Sequence, residues 1–391
     1  MRILYLHQFF ITRAGVGGTR SYELARRFVA HGHRVRMVTA GSGRERVDGI
    51  EVLGVRGGYA DYVTATATSY PRRMLAFARF AAAACATALR GPRPDVIYAT
   101  SPPLTMALPG LLAAIRWRAP LVFEVRDLWP EAPIQMGALR NPLLRRLARV
   151  LERLVYRRSS RLIALSPGIR DGILAAGVPI SKLALVPNAS DLELFSPTLD
   201  ATTARMRLGI APDRFVVSYF GTMGEANDLT QVLAAARLLP AVTFVLQGDG
   251  KRRAELEASA PANVLFPGPA PDKAQVAELA AASNCCLTIF KDVPILATNS
   301  PNKLFDTFAA GRPAIVNMDG WMRELVECHE AGLYARAGDP EDLARQIERL
   351  RDDPDLARRC GENARRLAER EFDRDLLAER ALDVLTSAAT A

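Results

Sequence analysis

Residues Ile295–Val316, ILATNSPNKLFDTFAAGRPAIV, hold the densest concentration of chemistry in the chain. Ser300 is a good helix N-cap and Pro301 suits the first helical position. A helix starting there would aim free backbone N–H groups outward, and Lys303 adds a full positive charge. Together these suit a diphosphate. Asp306 falls one turn later on the same predicted face, where a carboxylate can accept bonds from vicinal hydroxyls. An ordinary capped helix with an internal Lys–Asp pair is the plainer alternative. Only five of the 51 basic residues are lysines, so a lone lysine in such a motif is less easily incidental.

Four other stretches could do chemistry. Gly15, Gly17 and Gly18 follow the first predicted strand and precede a helix opened by Thr19 or Arg20. Glycines there let a ligand approach the backbone; a flexible turn is the alternative. In FEVRDLWPEAPIQMG, Asp127 stands just past a strand, able to hold sugar hydroxyls or tune a reacting group, or simply to cap a helix. In GDGKRRAELE, Lys251, Arg252 and Arg253 crowd a helix start, a placement the helix dipole opposes unless an anion binds. Between Arg140 and Arg161 run eight arginines and one glutamate. Leu143, Leu147, Val150 and Leu154 share one face of that predicted helix, joined by Leu144, Leu151 and Val155. Such a helix suits an anionic membrane surface or, equally, a core-facing position with a solvated basic side.

The elements that must carry these residues alternate. Short apolar runs predict strands at Arg2–His7, Arg34–Thr39, Ile50–Val55, Asp95–Ala99, Leu121–Val125 and Arg161–Leu165. A second series follows at Phe215–Phe220, Thr243–Gln247, Val264–Pro267, Cys285–Phe290 and Ala314–Asn317. Continuous apolar strands separated by helical patterns indicate parallel sheets covered on both faces. The fold expected is α/β, with two doubly wound Rossmann-like domains facing a cleft. The boundary is placed in VPNASDLELFSP: residues 1–195 form the first domain and 196–370 the second. Residues 371–391 form a last helix returning to the first domain.

A chain of 391 residues, 49% apolar and 24% charged, is of ordinary globular composition, which excludes collagen, coiled coil and bulk disorder. Its net charge of +9 is uneven, with residues 1–200 at +14 and the remainder at −5. The first half is therefore expected to meet an anionic surface or ligand. Five cysteines without a CxxC spacing, and only four histidines, point away from disulfide frameworks and metal centres. No signal peptide or membrane span is expected, because the longest uncharged run, Val96–Ile115, is broken by Pro102, Pro103 and Pro109. A cytoplasmic location follows as the expectation.

The motifs together resemble the retaining glycosyltransferases of family 4, with the two-domain GT-B fold. Among them the likeness is to the L-fucosamine-transferase type of surface-polysaccharide assembly. The matching stretches are GGTRSYELARRFVAHGHRV, PDVIYATSPP, EVRDLWPE, ALSPGI, VPNASDLELF, FGTMGEANDL, LQGDGKRR and SPNKLFDTFAAGRPAIV, in order along almost the whole chain. The resemblance implies metal-independent transfer, with no cofactor, from a nucleotide-activated sugar, usually a UDP-sugar. It puts Gly17 and Gly18 by the diphosphate and acceptor. It puts Lys303 and Asn302 of the PNK helix start on the diphosphate, Asp306 on the ribose, Arg253 near the phosphates, and Asp127 in the catalytic region.

Three positions depart from that pattern. Thr298 replaces the first of two carboxylates spaced eight apart, leaving Thr298, Asn299 or Ser300 to hold the donor sugar. Thr222 and Asn227 stand where an Arg and a Lys are common, so Lys303 and Arg253 would neutralise more of the diphosphate. Asp127 stands where a histidine is common. The expected partners are a UDP-sugar of N-acetylated or 6-deoxy amino-sugar kind, a lipid-linked or saccharide acceptor, and an anionic membrane on whose inner face the protein would sit peripherally. Nucleic acid is not expected. A non-hydrolysing UDP-sugar epimerase, or a non-catalytic membrane-surface adaptor, are the competing readings.

Overall fold

The computed structural model describes residues 1–15, 17–59 and 70–390. One sheet is built from β1 (Arg2–Leu6), β2 (Arg34–Ala40), β3 (Gly43–Val47), β4 (Ile50–Val55), β5 (Val96–Thr100), β6 (Leu121–Val125), β7 (Arg161–Ala164) and β8 (Leu183–Leu185). They lie in the order β3-β4-β2-β1-β5-β6-β7-β8. Pairing is parallel except between β3 and β4. The other sheet is built from β9 (Phe215–Phe220), β10 (Val242–Gln247), β11 (Val264–Gly268), β12 (Cys285–Thr288), β13 (Ala314–Val316) and β14 (Gly332–Tyr334). Its order is β11-β10-β9-β12-β13-β14, with parallel pairing.

These strands form where they do because helices cover both faces. Strands β5, β6, β10, β12 and β13 are buried at every position, which a continuous apolar run can satisfy and an alternating one cannot. Strands β3, β8 and β14 were not anticipated. GRERV is polar and exposed at an antiparallel edge, while LAL and GLY are three residues each.

A buried ion pair lies within the first core. Glu124 in β6 is fully buried and accepts from Arg20 Nη2 at 2.7 Å, Tyr98 Oη at 2.6 Å and Thr100 Oγ1 at 2.7 Å. Arg20 also donates to the carbonyls of Val186 and Pro187. The helix Arg20–Ala30 is thereby tied to the segment that leaves the first sheet for the second. The last helix, Arg374–Thr390, packs against Arg20–Ala30 and β5–β7 through buried Leu377, Ala381, Leu385 and Ala388.

In the first sheet the strand order reverses between β1 and β5, and in the second between β9 and β12. Crevices outside the carboxyl ends of such strands are where open α/β sheets bind ligands.

The basic helix runs from Pro142 to Arg158, capped by Asn141, whose side chain accepts from the Leu143 and Leu144 amides. The core-facing alternative holds for Val155 and, in part, Leu151, and fails for the rest of the apolar stripe. Leu143, Leu147, Val150 and Leu154 are 62%, 55%, 56% and 42% exposed, and Val155 and Tyr156 are the residues buried instead. Leu108, Leu112 and Ile115 of the adjoining helix Ala107–Trp117 are also exposed. Among the described residues no helix is long and apolar enough to cross a membrane.

Candidate anion site between the sheets

Lys303 lies beyond the ends of β9 and β12, at the reversal point of the second sheet. The helix that carries it, Asn302–Ala309, buries Leu304, Phe305 and Phe308 beneath it. Lys303 Nζ donates to Tyr219 Oη at 2.8 Å and Asn227 Oδ1 at 3.2 Å. It also lies 3.9 Å from the centroid of the Tyr219 ring and 5.6 Å from that of Phe290. The aromatic faces and neutral oxygens favour a cation without neutralising it. Burial pushes the ammonium down to about 7. Gly221, with φ of 142°, leaves room for it, since a Cβ there would come within 3.2 Å of Nζ.

The two departures near this lysine act together. Asn227 accepts from Lys303, and its Nδ2 and the Tyr219 hydroxyl both donate to the Thr222 carbonyl, at 2.9 and 2.7 Å. Thr222 and Asn227, which stand where the resemblance has an Arg and a Lys, thus orient Lys303.

Three expectations need correction. Ser300 does not cap the helix; Pro301 occupies the N-cap without a side-chain bond. The Ser300 hydroxyl accepts from the Asn188 amide at 3.1 Å, and its carbonyl accepts from Asn188 Nδ2. Asp306 does not share an open face with Lys303. Its side chain is 2% exposed, with Oδ1 accepting from Ser190 Oγ and Oδ2 from Lys273 Nζ, both at 2.8 Å. A free carboxylate for vicinal hydroxyls is not what this arrangement presents; Lys273, 16% exposed, is its outward group. Arg253 begins the short helix Arg253–Ala258, but its Nε donates to Glu257 on the same helix at 2.7 Å.

Thr298 Oγ1 donates to Ile295 O at 2.7 Å, and the Thr298 carbonyl accepts from Ser166 Oγ of the first domain. A Cβ on Gly168 would meet Thr298 at 3.0 Å, so Gly168 permits this close approach. Asn299 is extended at the end of a short 3-10 turn, Pro294–Thr298. The stretch before the lysine helix is therefore fastened to the first domain at Thr298 and Ser300.

From the first domain Gly18 approaches the same helix start. Gly17 has φ of 135°, a backbone that side chains disfavour. A Cβ on Gly18 would lie 3.5 Å from Arg126 Nη2 and 3.6 Å from Asn302 Nδ2. The Lys273 amide faces the Arg13 carbonyl at 3.5 Å. Arg126 follows β6, and its Nη1 lies 3.3 Å from His7 Nε2 at the end of β1. His7 Nδ1 lies 2.9 Å from Ser21 Oγ. Burial, and then the Arg126 charge, hold the imidazole well below its ordinary range. The neutral ring therefore donates from Nδ1 and accepts at Nε2.

Asp127, next to Arg126, is partly buried; burial raises its carboxyl, against the opposing Arg126 charge. It caps nothing, since the next helix starts at Glu131 with Pro130 as its N-cap. Sequence reasoning did not single out Arg126, His7, Tyr219 or Lys273. Arginine is too frequent here to stand out, and His7 and Tyr219 lie within apolar strand-like runs.

Two largely parallel doubly wound sheets, with a cation and a helix start at the reversal point of the second, define a GT-B protein. A glycosyl transferase 4-like domain model matches residues 15–189, and a glycosyl transferases group 1 model matches residues 214–353. The chain therefore carries a glycosyl transferase 4-like domain followed by a glycosyl transferases group 1 domain. It is 27% identical over 303 residues to a D-inositol 3-phosphate glycosyltransferase of Streptomyces bingchenggensis, covering 71% of this chain and 64% of that one. The chain thus spans less than two thirds of that relative's length. It is 25% identical over 296 residues to the putative colanic acid biosynthesis glycosyl transferase WcaI of Escherichia coli, covering 72% of each. Among solved structures, sucrose-phosphate synthase of Thermosynechococcus elongatus superposes with a TM-score of 0.79 at 18% identity, covering 99% of this chain and 98% of that one. Anabaena Alr3699/HepE in complex with UDP-glucose gives 0.75 at 21%, covering 99% and 100%. At these identities the structural likeness is one of fold.

Proposed function

We propose that the protein transfers a sugar from a UDP-sugar to a lipid-linked or saccharide acceptor, with retention, in surface-polysaccharide assembly. The donor sugar is of the N-acetylated or 6-deoxy amino-sugar kind, as the L-fucosamine-transferase likeness implies. The observation that carries this reading is Lys303. A lysine whose hydrogen-bond partners are the neutral Tyr219 and Asn227, above a helix start, suits an anionic leaving group. That HepE is solved with UDP-glucose supports a UDP-linked donor, and WcaI supports the polysaccharide pathway.

In this reading Lys303 and the amides at the Asn302 helix start hold the diphosphate. Gly17 and Gly18 let it approach the first domain. Thr298, Asn299 or Ser300 holds the donor sugar, and Asp127 serves the reacting centre. The acceptor hydroxyl oxygen forms a bond to the anomeric carbon as the carbon–phosphate-oxygen bond breaks. The hydroxyl proton passes to the departing diphosphate oxygen on the same face. The protein then supplies position and charge stabilisation rather than a strong base.

The acceptor's side is the exposed apolar and basic surface of the first domain. Leu143, Leu147, Val150 and Leu154 form a stripe, and Arg145, Arg146, Arg149 and Arg153 converge around a shallow groove beside it. An anionic bilayer satisfies both, its lipid phosphates meeting the arginines and its acyl boundary the stripe. Peripheral attachment to the inner face of the membrane follows.

Calorimetric titration with UDP tests the donor assignment. The wild type should bind UDP, and Lys303→Ala should lose at least tenfold in affinity, the scale of a charge-assisted bond of about 1.5–3 kcal/mol. Failure of the wild type to bind UDP would sink the reading.

A further inference from the structure

We propose that Arg126, from the first domain, supplies the second positive charge on the donor diphosphate, and that His7, bonded to it, aims it there. The inference rests on the nucleotide-sugar reading above and adds a residue to it.

Thr222 and Asn227 stand where the resemblance has an Arg and a Lys, so two charged groups are missing beside Lys303. Arg253, the expected substitute, gives its Nε to Glu257 in a surface pair and keeps its Nη groups for at most one further charge. Arg126 fits the vacancy by position. Its Nη2 and Asn302 Nδ2 lie 3.5 and 3.6 Å from the same point, where a Cβ on Gly18 would stand. Asn302 begins the helix that carries Lys303. A diphosphate lying on that helix start would have Lys303 beneath it and Arg126 across the cleft. Arginine presents five donors in a planar fork, so Nη2 can bind a phosphate oxygen while Nη1 stays committed to His7.

The aiming device is a chain of bonds with assigned direction. Ser21 Oγ donates to the Phe9 carbonyl at 3.4 Å. Ser21 Oγ in turn accepts from His7 Nδ1, and His7 Nε2 accepts from Arg126 Nη1. Protonating His7 would turn its acceptor into a donor facing a guanidinium, so the chain requires a neutral ring. Burial of His7, which is 1% exposed, enforces that state. The Arg126 amide approaches Ser101 Oγ at 3.3 Å, fixing the backbone as well. His7 is therefore a positioning residue and Arg126 a binding residue. Because Arg126 and Lys303 sit on different domains, the charge site is complete only when the domains face each other as here.

The test is titration of wild type, Arg126→Gln, Arg126→Lys and His7→Gln with UDP, UMP and uridine, with thermal melts as a folding control. The proposal expects Arg126→Gln to weaken UDP by roughly tenfold or more while uridine is unchanged, since one charge-assisted bond is lost. Arg126→Lys should recover only part, and His7→Gln should give a smaller loss confined to the diphosphate. Equal loss for UDP and uridine would overturn it by marking Arg126 as structural. Unchanged UDP affinity with a raised acceptor KM would overturn it by placing Arg126 on the acceptor's phosphate. If Lys303→Ala weakens UDP but Arg126→Gln does not, the donor reading stands and this inference falls.

Discussion

Lys303 donates to Tyr219 Oη at 2.8 Å while lying 3.9 Å from the centroid of the same ring. This cation is held by an aromatic face and a phenol, with Asn227 completing the set. A lysine kept this way is poorly stabilised until an anion arrives. The protein carries an unfavourable burial that a diphosphate would relieve, which is how a binding site is set apart from an ordinary ion pair.

Lys303→Ala should therefore cut kcat/KM by about 10²–10³, the scale for losing one preorganised charge-stabilising group. The thermal midpoint should hold or rise, because a partly buried cation has been removed. Steady-state kinetics and a melt on the same sample decide it. A loss below about threefold would remove Lys303 from the phosphate role, well under the scale expected for such a group.

The pH dependence of UDP binding follows from the same residue. Free Lys303 titrates at about 7, and bound diphosphate raises that value. Above pH 7 binding must take up a proton, so affinity should fall by up to about tenfold per pH unit between pH 7 and 9. Below pH 7 Lys303 is already charged and contributes no slope. Lys303→Arg should flatten the profile above pH 7, because a guanidinium stays charged throughout. Calorimetry in buffers of different ionisation enthalpy reads the proton directly.

Asp306 and Lys273 form the other testable pair. With Asp306 2% exposed, removing its cation leaves a buried charge. Lys273→Met should lower stability by about 3 kcal/mol, the scale for breaking one side of a buried pair, and so lower the urea midpoint. Asp306→Asn should cost less, since the amide oxygen can still accept from Ser190. A midpoint unchanged in Lys273→Met would mean the pair does not support the fold.

The exposed stripe makes a prediction that a core helix would not. Leu143→Ser, Leu147→Ser and Val150→Ser together should change the thermal midpoint little, since surface changes usually lie within about 0.5 kcal/mol each. Liposome sedimentation on anionic vesicles should weaken. Arg146→Gln, Arg153→Gln and Arg157→Gln should weaken it too, at about 1 kcal/mol per basic residue, and this loss should shrink at high salt. Unfolding of the serine triple variant would return the stripe to the core.

Much of this was legible in the sequence because apolar runs state their own burial. The runs over Ile50–Val55, Leu121–Val125 and Phe215–Phe220 are strands with those bounds. The run GRERV hides β3, since an exposed edge needs no apolar pattern. SPNK announced Lys303 because lysine is scarce, but not its Tyr219 cradle, which depends on packing across the sheet. Arg126 was hidden among many arginines; only the tertiary fold brings it to Gly18. The basic helix could not be oriented from sequence, because a wide apolar face serves a core and a membrane alike. Asp306 misled for a similar reason. Helical spacing relates it to Lys303, while Ser190 and Lys273, far away in sequence, decide what it bonds to.

The most direct test of the transferase assignment is UDP release from a panel of UDP-sugars, with and without lipid-linked acceptors. The account predicts release that depends on acceptor, yields a glycosylated lipid whose anomeric configuration matches the donor's, and collapses in Lys303→Ala. UDP-sugar interconverted without acceptor, or no release with any donor while UDP still binds, would contradict it.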